Sequence, residues 1–288
     1  MHIQAKAVSP KTREAVITVV LLGTLTLLFI LVPWTGDDWE TFYGAGQRIL
    51  KGDALYGSRI THAYFSNPPW LALLLAPLTM LPEKFGWALL CATTLMAALL
   101  VLHTWADALP GLIKPLLVLT SPTMLYILLH GQIDMLIIAG VLLPKEWWPI
   151  IALTKPQVAI GLLFGLPRRR WLAAGLIVVG VTAITLALFG FWPPELLRQP
   201  TPFRSATHNL WLGLWPYQIP AGVALVLLGM SRKDERLLIA GSPLLSPYAA
   251  ISTLIGPWIA AVTYLSSWQA TLVFLSWWGA VIYRGLAG

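Results

Sequence analysis

The chain has 288 residues, of which 57% are hydrophobic and 11% are charged, and its mean hydropathy is +0.74. Soluble domains are about 45–50% apolar and about 25% charged, so the composition excludes an ordinary water-soluble fold. We expect the lipid bilayer to surround most of the chain. The formal charge of +7 is carried by short clusters between apolar runs. A basic face on a soluble domain is missing, so we predict no nucleic-acid partner.

Eleven apolar stretches are long enough to cross, or nearly cross, a bilayer on the criterion of about 20 residues. They predict an all-α, polytopic transmembrane helical bundle of about 10–11 spans, formed as one membrane-embedded domain over residues 1–288. Several stretches are short or contain proline, which is tolerated at membrane depth where the backbone lines an enclosed cavity. The stretches are 14–34, 69–82, 84–105, 112–129, 131–144, 147–166, 171–192, 211–230, 236–249, 250–266 and 269–284.

Three basic clusters, at residues 6–13, 168–170 and 232–236, set the predicted orientation through the positive-inside rule. Alternating crossings place all three on the cytoplasmic side, together with the N-terminus. We therefore expect an integral, multi-pass protein of the plasma (inner) membrane with an extracytoplasmic active site. The same alternation places residues 35–68 and 193–210 outside, and residues 82–84 and 130–134 on the cytoplasmic side.

The first outer loop carries the pattern of a short amphipathic helix on the membrane surface. Aromatic and aliphatic residues recur near helical spacing after Asp37 and Asp38, and Gly52 is a natural helix stop. Either aspartate could be the N-cap of this helix. Alternatively, one carboxylate could act as a general base, which requires a cavity with restricted water so that its pKa approaches the working range. The residues alone leave both readings open.

A series of short motifs follows in order along the chain. They are Asp38-Trp39 before the amphipathic helix, Gly52-x-x-Leu55-Tyr56, Phe65-x-x-Pro68-Pro69, His130-Gly131-Gln132, Lys155-Pro156-Gln157, His208-Asn209 and Ser246-Pro247-Tyr248. This series resembles the GT-C glycosyltransferases. It is most similar to the polyprenyl-phosphate-mannose-dependent mannosyltransferases, family eighty-seven, over residues 36–258. Two departures are Asp134, where the family often has Asn, and Asn67, where it often has Tyr.

The resemblance implies transfer of a hexose, such as mannose, from a polyprenyl-phosphate donor to a lipid or glycan acceptor. It implies an inverting single displacement, with Asp38 as the general base and Asp37 as the fallback. Membrane lipids are the other expected partners. No cofactor is certain and a divalent cation is possible, although no metal-ligand spacing such as His-Glu-x-x-His occurs.

Lys155 lies within an apolar run, where an unpaired ammonium group costs about 2.5–3.5 kcal/mol on insertion scales. It could support the donor phosphate, reach an interface or pair with Asp134. Arg204 and His208, in the second outer loop, could bind an anionic donor or be ordinary surface charges. The full predicted substrate-binding set is Lys155, Arg204, His208, Asn209, Tyr43, Arg59 and Tyr248.

His130, Gln132 and Asp134 fall at a tight hairpin, for which the predicted cytoplasmic position favours a structural role. Two other classes of function stay open. Broken helices and buried charges would also suit a transporter or lipid flippase, although no internal repeat is visible. A non-catalytic GT-C-like membrane subunit is the other alternative.

Overall fold

The computed structural model describes residues 10–61, 63–199 and 209–287. Within these ranges every regular element is a helix, which confirms the all-α class. The α-helices are α1 (Pro10–Ile30), α2 (Asp37–Lys51), α3 (Pro69–Thr79), α4 (Glu83–Thr104), α5 (Ile113–Leu119), α6 (Pro122–His130), α7 (Asp134–Ala139), α8 (Trp148–Thr154), α9 (Pro156–Ala159), α10 (Trp171–Phe189), α11 (Pro193–Arg198), α12 (Ile219–Arg232), α13 (Glu235–Gly241), α14 (Ile255–Tyr264) and α15 (Ser267–Ala287). Short 3₁₀ helices occupy Ala106–Ala108, Gly140–Leu142, Lys145–Trp147, Ile160–Gly165, Arg168–Arg170, Pro243–Leu245 and Ile251–Leu254.

Two helical segments are long and apolar enough to cross a membrane, Glu83–Thr104 and Arg168–Phe189. A third crossing results if α5 and α6, which are bent by 41° at their break, form one span. The prediction of 10–11 spans is therefore not confirmed. The second segment has only 11% of its apolar window buried inside the protein. Its apolar side chains face outward, as those of a helix surrounded by lipid do.

The short α3 changes the predicted alternation of sides. Its 11 residues span about 16 Å, which is too short for a hydrocarbon core of about 30 Å. The turn that follows α3 packs against the first loop. The indole Nε1 of Trp39 donates to the Glu83 carbonyl (3.0 Å), and the Tyr43 hydroxyl donates to the Leu81 carbonyl (3.0 Å). The prediction that residues 82–84 lie on the opposite side from the first loop is wrong.

The end of α6 also meets the first loop. Because α3 does not separate the two sides, α4 leads away from the first loop and the bent pair α5–α6 leads back to it. Gly36 lies so close to this end that an added Cβ would be 2.3 Å from the His130 carbonyl oxygen. The prediction that residues 130–134 lie on the other side is therefore also wrong.

The segment predicted as a span at 147–166 is a hairpin, which we call the Lys155 hairpin (residues 145–170). Its ends meet where Arg170 donates to the Glu146 carboxylate (2.7 Å). Its tip is Lys155, whose φ of −147° and ψ of 80° are not helical. A residue before proline disfavours the α conformation, so Pro156 ends α8 at this point and turns the chain back.

A second hairpin, the Tyr248 hairpin (residues 234–264), has the same form. Its ends meet where the Tyr264 hydroxyl donates to Asp234, and its tip is the irregular segment 246–250. The Nζ of Lys145 donates to the Glu235 carboxylate (2.7 Å), which joins the ends of the two hairpins. Both tips therefore point in the same direction, away from this joint.

The core lies between α2, α4, α7 and the two hairpins. Three tryptophans form its largest fully buried side chains, namely Trp39, Trp87 and Trp148. Trp39 is wedged between two glycines, since an added Cβ on Gly86 or on Gly131 would lie 2.6 Å from its side chain. This packing fixes the start of α2 against α4 and the end of α6.

Candidate functional site

The helix predicted after Asp37 is present as α2, which ends at Gly52 in the left-handed conformation (φ 74°). The capping reading needs a correction, because the N-cap is Gly36 and not an aspartate. No side chain fits at this position against the His130 carbonyl. Asp37 is the first helical residue, and its Oδ1 accepts the backbone N–H of Asp38 (2.9 Å).

Six polar side chains from three separate parts of the chain meet at the start of α2. We call them the Asp38 cluster. Gln132 Nε2 donates to Asp38 Oδ2 (2.5 Å), and Lys155 Nζ donates to Gln132 Oε1 (2.6 Å). The members are Asp37, Asp38, His130, Gln132, Asp134 and Lys155.

Lys155 and Asp134 form the buried end of the cluster. Their Nζ and Oδ2 atoms are 2.5 Å apart, and their side chains are 9% and 0% exposed. Pairing with Asp134 was one of the readings that the sequence left open for Lys155. Breaking such a pair costs about 3–5 kcal/mol because a buried charge is left without compensation. Asp134 Oδ1 is buried and accepts no hydrogen bond within the part of the chain that the structure describes.

His130 and Asp37 form the more exposed end. The His130 Nδ1 and Asp37 Oδ1 atoms are 2.5 Å apart, and the Asp37 side chain is 46% exposed. The imidazole also stacks on the Tyr126 ring, with centroids 3.9 Å apart. Asp37 is thus engaged with His130, whereas Asp38 lies between this pair and the buried Lys155–Asp134 pair.

Burial raises the pKa of Asp38 above its usual value near 3.8. The positive charge of Lys155 opposes this effect, the negative charge of Asp37 adds to it, and the hydrogen bond from Gln132 opposes it. A half-buried carboxylate whose pKa is raised is shifted in the direction that a general base needs. Burial is the largest cause, so the position of Asp38 in the fold, rather than one neighbour, sets its acidity.

The Tyr248 hairpin brings its tip to the same place. Burial raises the pKa of the Tyr248 hydroxyl, and the negative charges of Asp38 and Asp134 are near enough to add to that shift. The Asn209 side chain holds the tip by donating to the Pro247 carbonyl (3.1 Å) and accepting the Ala249 N–H (3.3 Å). Of the predicted binding residues, Tyr248 lies beside the Asp38 cluster, and Asn209 stabilises the hairpin tip that carries Tyr248.

Two further predicted residues lie elsewhere. The Tyr43 hydroxyl donates to the Leu81 carbonyl and so fixes the turn after α3. The Arg59 guanidinium lies 5.7 Å above the Tyr64 ring. Neither makes a hydrogen bond or ion pair with the Asp38 cluster within the described part of the chain. Arg204 and His208 fall outside the described residues.

Asp37, Asp38 and His130 are the set whose donor atoms converge, all within 4.8 Å of one another, among the described side chains. In this geometry the closest two atoms form a hydrogen bond at 2.5 Å, and Gln132 occupies Oδ2 of Asp38. These atoms are hydrogen-bonded to one another or to Gln132. The divalent cation considered from the sequence stays a prediction.

Comparison with protein-family models, with curated proteins and with solved structures finds no match for this chain. The resemblance to the GT-C glycosyltransferases therefore depends on the sequence motifs alone.

Sequence reasoning placed His130, Gln132 and Asp134 away from the site, and it did not single out Tyr126. The reason is that α3 was counted as a membrane crossing, which reversed the predicted side of every later segment up to residue 134. Its length and Pro77 at its interior were the signals that could have revealed this. With α3 left out, the same alternation rule brings residues 130–134 to the first loop.

Proposed function

We propose that the protein is an integral membrane glycosyltransferase that moves a hexose, such as mannose, from a polyprenyl-phosphate donor to a lipid or glycan acceptor. One observation carries this proposal. Asp38, a half-buried carboxylate with a raised pKa, lies at the start of a surface helix beside Asp37, His130 and Gln132. Residues of three of the GT-C-like motifs, spread over more than a hundred positions, meet at this point.

The reaction needs one base. The acceptor hydroxyl oxygen attacks the anomeric carbon and forms the new C–O bond, while the bond from that carbon to the phosphate oxygen breaks. Asp38 takes the hydroxyl proton, and the polyprenyl phosphate leaves with the bonding electron pair. A single displacement of this kind inverts the anomeric centre and requires no second carboxylate as nucleophile.

Positive groups would stabilise the leaving phosphate. Lys155 is already bound to Gln132 and Asp134, so its charge acts on the site through these partners. His130, at the exposed end of the cluster, is the cationic candidate nearest to solvent when it is protonated. Arg204 and His208 keep the donor-binding role that the sequence suggested.

The test is a transfer assay on the purified protein, with a panel of polyprenyl-phosphate sugars and detection of product by mass. Asp38→Asn should lower the rate by at least about a hundredfold, because general-base catalysis contributes about 10²–10⁴-fold. Asp53→Asn is the matched control, since Asp53 is an exposed carboxylate near the end of α2, and its rate should stay at the wild-type level. Wild-type activity of Asp38→Asn would remove the base from the proposal.

A transporter is the second candidate, because the buried Lys155–Asp134 pair lies at the tip of a broken helical hairpin. In transporters with inverted repeats, the two broken elements enter from opposite sides. Here the ends of both hairpins are joined by Lys145 and Glu235, so they enter from the same side. A transporter would depend on Asp134 and Lys155 and would tolerate Asp38→Asn, which separates the two candidates.

A further inference from the structure

Gln132 occupies a position between a cation and a carboxylate. Its Oε1 accepts from Lys155 Nζ (2.6 Å), and its Nε2 donates to Asp38 Oδ2 (2.5 Å). An ammonium group can only donate and an ionised carboxylate can only accept. The amide is therefore held in one of its two orientations, with the oxygen towards Lys155 and the N–H towards Asp38.

We propose that Gln132 is a positioning residue, oriented by Lys155, that holds Oδ2 of Asp38 so that Oδ1 receives the proton of the acceptor hydroxyl. This inference rests on the proposed function, because it assumes that Asp38 is the base. Oδ1 of Asp38 accepts no hydrogen bond from the described residues. With Oδ2 occupied, it is the carboxylate oxygen that a hydroxyl can reach.

The supporting residues explain why the amide stays in place. Lys155 is itself held by Asp134 (2.5 Å) at the tip of its hairpin. Gln132 follows Gly131, whose positive φ of 67° ends α6 and turns the chain towards Asp38. Lys155, Gln132 and Asp38 thus form a chain of hydrogen bonds that begins in the buried interior and ends at the half-buried base.

Other charged or titratable groups also surround Asp38. Asp37 and His130 face it from α2 and α6, and Tyr126 and Tyr248 approach from α6 and the Tyr248 hairpin. A change at Gln132 leaves all of these in place. An effect of that change on the ionisation of Asp38 is therefore attributable to the amide and to Lys155 behind it.

The test compares Gln132→Leu and Gln132→Glu with the wild type in a rate profile against pH. Leu removes the donor, and Glu keeps the shape and the bond to Lys155 but places a second carboxylate beside Asp38. We expect kcat to fall about tenfold or more, with the KM for the donor unchanged within about twofold. The acidic limb of the rate profile, which reports the ionisation of Asp38, should move to higher pH in both variants. For Gln132→Glu the shift should be about one pH unit or more.

Gln47→Leu is the matched control, because Gln47 also lies at α2 and its amide donates to a backbone carbonyl, that of Thr79 (2.5 Å). Its loss should leave the acidic limb where it is in the wild type. An unmoved limb in both Gln132 variants, or an equal shift in Gln47→Leu, would overturn the positioning role.

An infrared titration separates this inference from the proposed function, because it needs no turnover. The protonated-carboxyl band that disappears in Asp38→Asn should titrate at higher pH in Gln132→Leu than in the wild type. A shifted band in a protein without transferase activity would keep the Gln132 contact and reject the function. Transferase activity with an unshifted band would keep the proposed function and reject the positioning role of Gln132.

Discussion

At the scale of single residues, the site is a carboxylate placed where its charged form is disfavoured. Burial raises the pKa of Asp38, and this outweighs the opposing charge of Lys155. A folded-state pKa above the unfolded value means that the folded protein binds the proton more tightly. This contribution to stability is complete below the unfolded pKa of about 3.9 and is lost as the pH rises through the folded pKa.

The linkage gives a prediction for Asp38→Asn, in which the amide oxygen can still accept the N–H of Gln132. Because Asn cannot ionise, the variant avoids the free-energy cost of a buried negative charge. At neutral pH its melting temperature should therefore exceed that of the wild type. The difference should shrink as the pH falls towards about 4. Thermal unfolding in detergent measures this, and a variant less stable than the wild type at pH 7 would contradict the stated cause of the pKa shift.

At the scale of elements, a helix set by its local sequence could be predicted, whereas a hairpin set by tertiary packing could not. The helix from Asp37 to Gly52 followed from amphipathic spacing and a glycine stop, and α2 has these bounds within one residue. The hairpin at 145–170 did not follow, because an apolar run of 20 residues fits a crossing and a return equally well. The sequence Lys155-Pro156 marks the point where the chain turns back, but a hydropathy average over the run does not detect it.

The end of α6 is the element on which the cluster depends, and Gly131 is its most constrained residue. A side chain there would be strained by the positive φ of 67° and would lie 2.6 Å from the Cβ of Trp39. We expect Gly131→Ala to destabilise the fold by about 1–3 kcal/mol. Gly175→Ala, within α10 and with open space around it, is the control and should be neutral or stabilising by up to about 1 kcal/mol.

Thermal unfolding of the two glycine variants checks this expectation. Equal melting temperatures for Gly131→Ala and the wild type would show that the contact between α2 and α6 does not hold the site together.

At the scale of the whole molecule, the contacts divide the described chain into two ends. The first loop, the turn after α3 and the end of α6 lie together at one end. The starts of both hairpins lie at the other, where Lys145 meets Glu235. The counting of crossings failed in two places, at α3, which is too short to cross, and at residues 147–166, which form two arms of a hairpin. The predicted extracytoplasmic position of the first loop stays a prediction.

Single-cysteine labelling tests the division, because the chain has one native cysteine, Cys91, which is buried. In a Cys91→Ser background, Gly52→Cys and Met80→Cys should react with an impermeant reagent from the same side of the membrane. Arg169→Cys, in the turn before α10, should react only from the other side. Labelling of Gly52→Cys and Met80→Cys from opposite sides would show that α3 crosses the membrane and would contradict the conclusion that it does not.

The central claim is sugar transfer with Asp38 as the base, and the structure of the product tests it most directly. The purified protein is incubated with a panel of polyprenyl-phosphate hexoses and lipid or glycan acceptors, and any product is analysed by mass and by the NMR configuration of its anomeric carbon. We predict a product that is one hexose heavier than its acceptor, with the configuration inverted relative to the donor. No product from any donor with folded protein, or a product with retained configuration, would contradict the account.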